Sequence, residues 1–314
     1  MITELLVEAV LVGLVVAAIL LLAYFPYDSD GALSAEELQK TRDFYAKAYE
    51  APPVDEPTTP DSERYVTLAA TAADELNVDD QVRAFVQHYG LAGKRVLDVG
   101  AGRGYLQDLV EDYTGLDISS SARRFFHKPF VLGSATAMPF EDNSFDAVWT
   151  VWVLEHIPAP EQALLEIRRV VKPGGHIFLM PAWNVMPWAA QGYQVRPYSE
   201  FPVGGKLIKA SILPRSYFHA LAHTVIEPVR YQWWKASGGP TTLHYRRLEP
   251  NYKTYPGPDS DAVNSLERSE MALWFTSRGD AWLNQEDQNV MESGGPLVLQ
   301  VVKPDGTGPL ASRP

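Results

Sequence analysis

The sequence predicts an α/β protein: a doubly wound, mostly parallel sheet with an antiparallel last strand, enlarged by a C-terminal insertion and preceded by one transmembrane helix. Three observations carry this prediction. From Arg95 onward, short apolar runs alternate with helix-like patterns, as in a parallel sheet covered on both faces. The first such run leads into three glycines at alternate positions, Gly100, Gly102 and Gly104. Ahead of all this lies an uncharged apolar run at the very start of the chain.

That run, Ala9 to Phe25, contains 17 residues and no charge. At about 1.5 Å per residue it is near the short limit for a bilayer crossing, and Leu5, Leu6 and Val7 extend it. Tyr24 and Phe25 suit the interfacial aromatic belt. A cleaved signal peptide is the competing reading, but it needs a basic leader and a small-x-small site, and here Glu4 and Glu8 flank the run. A buried core helix is the third. The first positive side chains, Lys40 and Arg42, follow the run, so the expectation is a single-pass membrane protein with its body in the cytoplasm.

Ser34-Ala35-Glu36-Glu37 fits a capping box opening a helix to about Tyr49. APPVDEPTTP, with four prolines in ten residues, then reads as a stiff spacer. These features divide the chain into an anchor (1–27), a juxtamembrane helix and linker (28–60), a main domain (61–304) and a flexible tail (305–314). Val82, Phe85, Val86 and Tyr89 lie on one helical face, which Gly90 can end. Strands are expected at 95–99, 113–117, 130–133, 145–151 and 176–181, and helices at 104–112, 119–127 and 160–171. A final antiparallel strand is expected at 296–303.

Composition excludes several functions. The 314 residues carry a net charge of −12, which disfavours nucleic acid and basic-patch attachment to anionic lipid. With no cysteine, thiolate nucleophiles, disulfides and Cys-based metal centres are ruled out.

The stretch Val96-Leu97-Asp98-Val99-Gly100-Ala101-Gly102-Arg103-Gly104-Tyr105 carries the chemistry. Glycines let the backbone turn sharply and let a ligand approach without a Cβ in the way. A dinucleotide fingerprint would need its third glycine where Tyr105 stands, so a nicotinamide-dependent oxidoreductase is disfavoured. Asp98, two residues before the first glycine, suits a cationic amine. Asp117, closing the next strand, suits two ribose hydroxyls.

VLDVGAGRGYL, together with GSATAMPFEDNSFDAVWTVWVLEHIPAPEQALLEIRRVVKPGGHIFLMP at 133–181, resembles the class I S-adenosylmethionine-dependent methyltransferases of the small-molecule type, whose fold is Rossmann-like. The resemblance covers about residues 94–181. It implies S-adenosyl-L-methionine as cofactor, with Asp98, Gly100, Ala101, Gly102 and Gly104 around the methionine end. It implies Asp117 on the ribose, Ile118 against the adenine, Ala135 offering its backbone N–H, and Val151 and Trp152 beside the methionine portion. Where the family often has an acid facing the adenine amine, this chain has Ser134, a weaker acceptor. His156 stands at the expected pocket mouth, as a general base or as a wall residue.

Other constellations are weaker. His219 and His223 share a helix face but lack a third ligand, so no metal site is expected. Asp259-Ser260-Asp261 matches the metal–nucleotide motif of some glycosyltransferases, or caps a helix. Arg246-Arg247 reads as a surface pair or an anion contact. The interval 182–295 exceeds simple connections and is expected to be an acceptor-binding cap. Its Trp183, Trp188, Trp233, Trp234, Trp274 and Trp282 suit sugar stacking, an apolar tunnel, a membrane interface or plain core. The functional expectation is methyl transfer to a small or lipid-linked acceptor such as a lipid, quinone or glycan. The alternative is a non-catalytic cofactor-binding scaffold at a membrane.

Overall fold

The computed structural model describes residues 7–15, 35–49, 71–252, 257, 259–285 and 295–303. Helix α1 spans Ala35–Ala48 and α2 Val78–His88. The sheet then begins: β1 Arg95–Val99, β2 Asp112–Asp117, β3 Phe130–Leu132, β4 Phe145–Val151, α3 Pro160–Val170 and β5 Val171–Met180. A long α4 (Val203–Ser237), the strand pair β6 (Arg246–Arg247) and β7 (Asn264–Ser265), and α5 (Arg268–Thr276) fill the insertion. The short edge strand β8 (Ala281–Trp282) and β9 (Leu297–Gln300) complete the sheet.

The strand order is β3-β2-β1-β4-β5-β9-β8. β1 to β5 are mutually parallel, while β9 runs antiparallel to β5, with Ile177 opposite Leu299. β8 pairs antiparallel with β9. The winding direction reverses between β1 and β4, and crevices for ligands open at the carboxyl ends of strands at such a point.

Strand periodicity divides the core in two. Val96, Tyr113, Ala147, Trp149, Phe178 and Met180 bury against Val78, Val82, Phe85 and Val86 of α2. Their neighbours Leu97, Val99, Val148, Ile177 and Leu179 point the other way, onto Ala163, Leu164 and Ile167 of α3 and Met271, Trp274 and Phe275 of α5. Pro160 occupies the first turn of α3, where its missing N–H costs nothing.

Two helical expectations need correction. Residues 104–112 form tight turns, not an α-helix: Gln107 N donates to Gly104 O and Leu109 N to Leu106 O, both three residues back. β2 already starts at Asp112, the last residue of the expected helix. The 119–127 helix is a 3-10 helix, Ser120–Phe125.

Of the expected anchor, residues 7–15 are helical, with Val10, Leu11, Val12 and Leu14 exposed. The remainder of 1–27 lies outside the described residues, as do Ser34, most of the linker and the tail. Among the described residues no helix is long and apolar enough to cross a membrane. In the insertion, Trp274 and Trp188 are core residues, Trp183 and Trp282 pack against the core, and Trp233 is exposed. The side chains of His219 and His223 lie outside the description.

The insertion is locked to the sheet by Arg168 of α3. Its Nε donates to Asp280 Oδ2 at 2.7 Å and its Nη2 to Oδ1 at 3.2 Å, while Val302 N also donates to Oδ1. The Asp280 side chain is wholly buried, so removing it strands a guanidinium. Asp280→Ala is expected to lower the unfolding free energy by about 3 kcal/mol in urea titration. Glu200→Ala, which breaks the exposed pair with Arg196, is expected to cost less than about 1 kcal/mol.

Candidate active site

β1 ends at Val99, and the chain turns through Gly100 (φ +74°), Gly102 (φ +51°) and Gly104 (φ +69°), all in the left-handed region. A Cβ on Gly100 would lie 2.2 Å from Val153 Cγ2, and one on Gly102 would lie 2.9 Å from Tyr49 Oη. The turn is pinned to the end of β2. Gly100 N and Ala101 N both donate to Leu116 O, and Gly102 N donates to Asp117 Oδ2 at 2.8 Å. Asp117 Oδ1 accepts from Ser119 N at 2.8 Å. Burial raises the Asp117 pKa, against the lowering effect of these donors.

Asp98 lies under the turn, 4% exposed, and accepts from the Tyr113 hydroxyl at 2.8 Å. Burial pushes its carboxyl up to about 7, against the lowering effect of the hydrogen bond from Tyr113. A buried acid held this way suits a cationic ligand group, whose charge would offset the cost of ionising it.

A cavity of about 670 Å³ opens here. Asp98, Gly100, Ala101, Gly102, Asp117, Ile118, Ser134, Ala135, Val151, Trp152 and His156 all line it. Gly104 does not; a Cβ there would meet Gln107 Nε2 at 2.9 Å and Phe126 at 3.0 Å, so this glycine lets the turn pack against the protein. The Ser134 hydroxyl is paired with Thr136 Oγ1 at 2.8 Å. Trp152 adopts φ +52°, and its N–H donates to Met180 O.

Sequence reasoning missed the lid. Thr41, Arg42, Tyr45 and Tyr49, on or just after α1, form one wall of the cavity. Ser121 Oγ donates to Ala46 O at 3.0 Å, and Arg124 donates to Tyr49 O. On the other side, the Tyr45 hydroxyl donates to Asp261 Oδ2 at 2.5 Å. Tyr45 and Tyr49, four apart on one helical face, were the available signal.

At the far end, His156 is flanked by carboxylates. Its Nε2 lies 3.7 Å from Glu155 Oε1 and its Nδ1 lies 3.5 Å from Asp261 Oδ2. Glu155 is fully buried and accepts from Ala182 N at 3.0 Å. Burial pushes Glu155 up to about 7 and raises Asp259; burial alone would lower His156, but Asp261, Glu155 and Asp259 raise it on balance. Asp259 and Asp261 do not cap a helix: α5 begins at Arg268 after Glu267, and the Asp-Ser-Asp turn abuts His156 instead. Arg247 is no surface residue pair member acting alone; it donates to Asn264 Oδ1 and to Pro158 O, tying the insertion to the loop after His156.

The cradle fits an adenosyl amino acid: it has a backbone free of Cβ atoms, one buried acid for an amine and a second beside it for a diol. Gly100→Ala is expected to abolish measurable cofactor binding and to lower Tm by several degrees more than Gly90→Ala. Gly90 (φ +63°) has open space around its Cβ position, so only the left-handed strain of about 1–2 kcal/mol remains there. Thermal unfolding of the two variants measures the difference.

Comparison with known proteins agrees with this geometry. A family profile described as a methyltransferase domain matches residues 97–179. Phthiotriol/phenolphthiotriol dimycocerosates methyltransferase 1 of Mycobacterium ulcerans is 31% identical over 46% of this chain and 60% of its own length. Demethylmenaquinone methyltransferase of Renibacterium salmoninarum is 42% identical over 27% of this chain and 40% of its own. Fatty-acid O-methyltransferase of Mycolicibacterium smegmatis is 29% identical over 52% of this chain and 66% of its own. The chain thus spans 40% to 66% of the length of these relatives. The glycine turn, the two strand-end acids and the profile match converge on one segment: residues 97–179 match a methyltransferase domain, and the chain is similar there to S-adenosylmethionine-dependent methyltransferases.

Proposed function

We propose that the protein transfers a methyl group from S-adenosylmethionine to a small or lipid-linked acceptor, working at a membrane to which its N-terminal apolar segment attaches it. The observation that carries the reading is the cavity in which Asp98, the glycine turn and Asp117 meet. When bound, S-adenosylmethionine supplies a methyl group already activated by its sulfonium. The protein's task is then to position the acceptor and exclude water. Asp98 holds the amine, Asp117 the ribose, and α1 closes the site from above. His156 lines the same wall, so a proton leaving a hydroxyl or amine acceptor is taken up at its cluster.

Three features support an apolar acceptor. The relatives named above are a phthiotriol/phenolphthiotriol dimycocerosates methyltransferase, a demethylmenaquinone methyltransferase and a fatty-acid O-methyltransferase. Residues 7–15 expose a run of valines and leucines. The insertion's α4 exposes Val203, Leu207, Leu213, Tyr217, Val229 and Trp233. The single-pass topology with a cytoplasmic body is part of this proposal.

Calorimetry with S-adenosylmethionine, S-adenosylhomocysteine and NAD tests the core claim. The first two are expected to bind and NAD not, with affinity falling at least about tenfold in Asp117→Ala. No binding to a folded protein would remove the reading in favour of a scaffold. A soluble acceptor turned over while vesicle-borne lipid and quinone acceptors stay untouched would sink the lipid part alone.

Asp98 adds a pH signature. Its folded pKa, about 7, lies above the ordinary 3.8, so the stability it contributes is full below 3.8 and is lost as pH rises through about 7. A cationic amine needs the ionised form. Affinity for S-adenosylhomocysteine is therefore expected to rise between about pH 6 and pH 8, and Asp98→Asn is expected to bind weakly with no such rise.

A further inference from the structure

Behind the wall formed by His156 lie ligating side chains that do not line the cavity: Glu155, Asp259 and Asp261. Glu155, His156 and Asp259 each offer one donor atom, and these atoms lie within 4.8 Å of one another. Glu155 and Asp261 are fully buried. Glu155 Oε2 and Asp261 Oδ1 are buried without a hydrogen-bond partner. Three carboxylates thus face one imidazole. Among the described residues no lysine or arginine forms an ion pair with any of them. Even with the imidazole charged, the ionised cluster would keep an excess of negative charge away from water, which is costly unless a cation or protons offset it.

The arrangement also has the form that metal-binding histidines take. Such a histidine turns one ring nitrogen to the ion and its other ring N–H to a carboxylate that fixes its tautomer. Here Nε2 faces Glu155, while Nδ1 faces Asp261, which the Tyr45 hydroxyl holds in place at 2.5 Å. Bonds of about 2.0–2.2 Å in a tetrahedral site put donors roughly 3.4 Å apart, close to the 3.7 Å between His156 Nε2 and Glu155 Oε1.

We propose that Glu155, His156 and Asp259 bind one divalent cation, with Asp261 orienting the imidazole. One imidazole with carboxylates suits Mn2+ or Zn2+ better than Ca2+, which prefers oxygen alone. Glu155 and His156 come from the loop after β4, and Asp259 from the insertion, so the ion would also clasp the cap to the sheet. On the methyltransferase reading, such an ion beside the cavity would acidify a hydroxyl acceptor. The binding itself does not depend on that reading.

The test uses the full chain, stripped with chelator, and two probes: Mn2+ followed by electron paramagnetic resonance, and Zn2+ followed by equilibrium dialysis with elemental analysis. One tight equivalent of either ion is expected. Glu155→Gln and Asp259→Asn should each weaken it at least tenfold, with S-adenosylhomocysteine affinity held within about twofold, since neither residue lines the cradle. His219→Ala/His223→Ala should leave the ion in place. Nitrogen coupling in the Mn2+ spectrum of the unmodified protein identifies the imidazole, whether or not the Glu155 variant folds. Binding no tighter than in the variants, binding lost with His219 and His223, or a bound Mn2+ without nitrogen coupling would overturn the proposal. Metal binding without cofactor binding would leave this site standing and remove the methyltransferase reading.

Discussion

The register between β1 and β2 sets the whole site. Val99 stands opposite Leu116, so the first two N–H groups past β1 reach Leu116 O, and the third, on Gly102, reaches the Asp117 carboxylate. A slip of one residue would turn every side chain of β1 to the other face. Asp98 would leave Tyr113, and Leu97 would leave the α3 side of the core. β4 adds the second constraint. Asp98 pairs with Trp149 across the strands, and the chain continuing from β4 brings Val153 against Gly100, where a Cβ has no room. Core packing and ligand geometry are therefore one problem here: the same strand alternation serves both.

Two segments far apart in sequence finish what the sheet begins. α1 lies against the loop after β2 through Ser119, Ser121 and Arg124, and against the insertion through Tyr45 and Asp261. The insertion reaches the loop after β4 by backbone as well as side chain. Val263 N donates to Glu155 O, and Asn264 and Arg247 donate to Ile157 O and Pro158 O. Tyr45 consequently touches both halves of the site: its ring stands edge-on to His156 at 5.8 Å, and its hydroxyl holds Asp261. A shift of α1 would be felt at the cofactor cradle and at the buried carboxylates together.

What the sequence revealed follows the range of the interactions involved. The span 145–151 coincides with β4 because a central parallel strand buries both faces and reads as an apolar run. The glycine turn and its two acids were readable because their roles are set within some twenty residues. The expected helix after the turn was not formed: between Gly104 and Asp112 the backbone makes i to i−3 turns instead. The lid and the histidine cluster were hidden for another reason. Tyr45 meets Asp261 across 216 positions, and nothing in either local pattern announces the other. Asp259 and Asp261 were visible as a pair, but a pattern of two acids in a turn-rich stretch favours a cap, and only the fold brings His156 to them.

The chain carries an excess of acid overall, yet the acids at its proposed sites are the buried ones. Asp98, Asp117, Glu155 and Asp261 are each at most 8% exposed. Burial makes an ionised carboxylate costly, and stability alone would favour apolar residues of similar size. Asp98 and Asp117 lie where a ligand with an amine and a diol would offset that cost, so the price in the free protein becomes selectivity in the bound one. The same reasoning applies to Glu155 and its neighbours. One imidazole cannot balance three carboxylates, so the cluster has to take up protons or a cation, and the Tyr45 hydroxyl holds Asp261 within 3.5 Å of the imidazole that would share either.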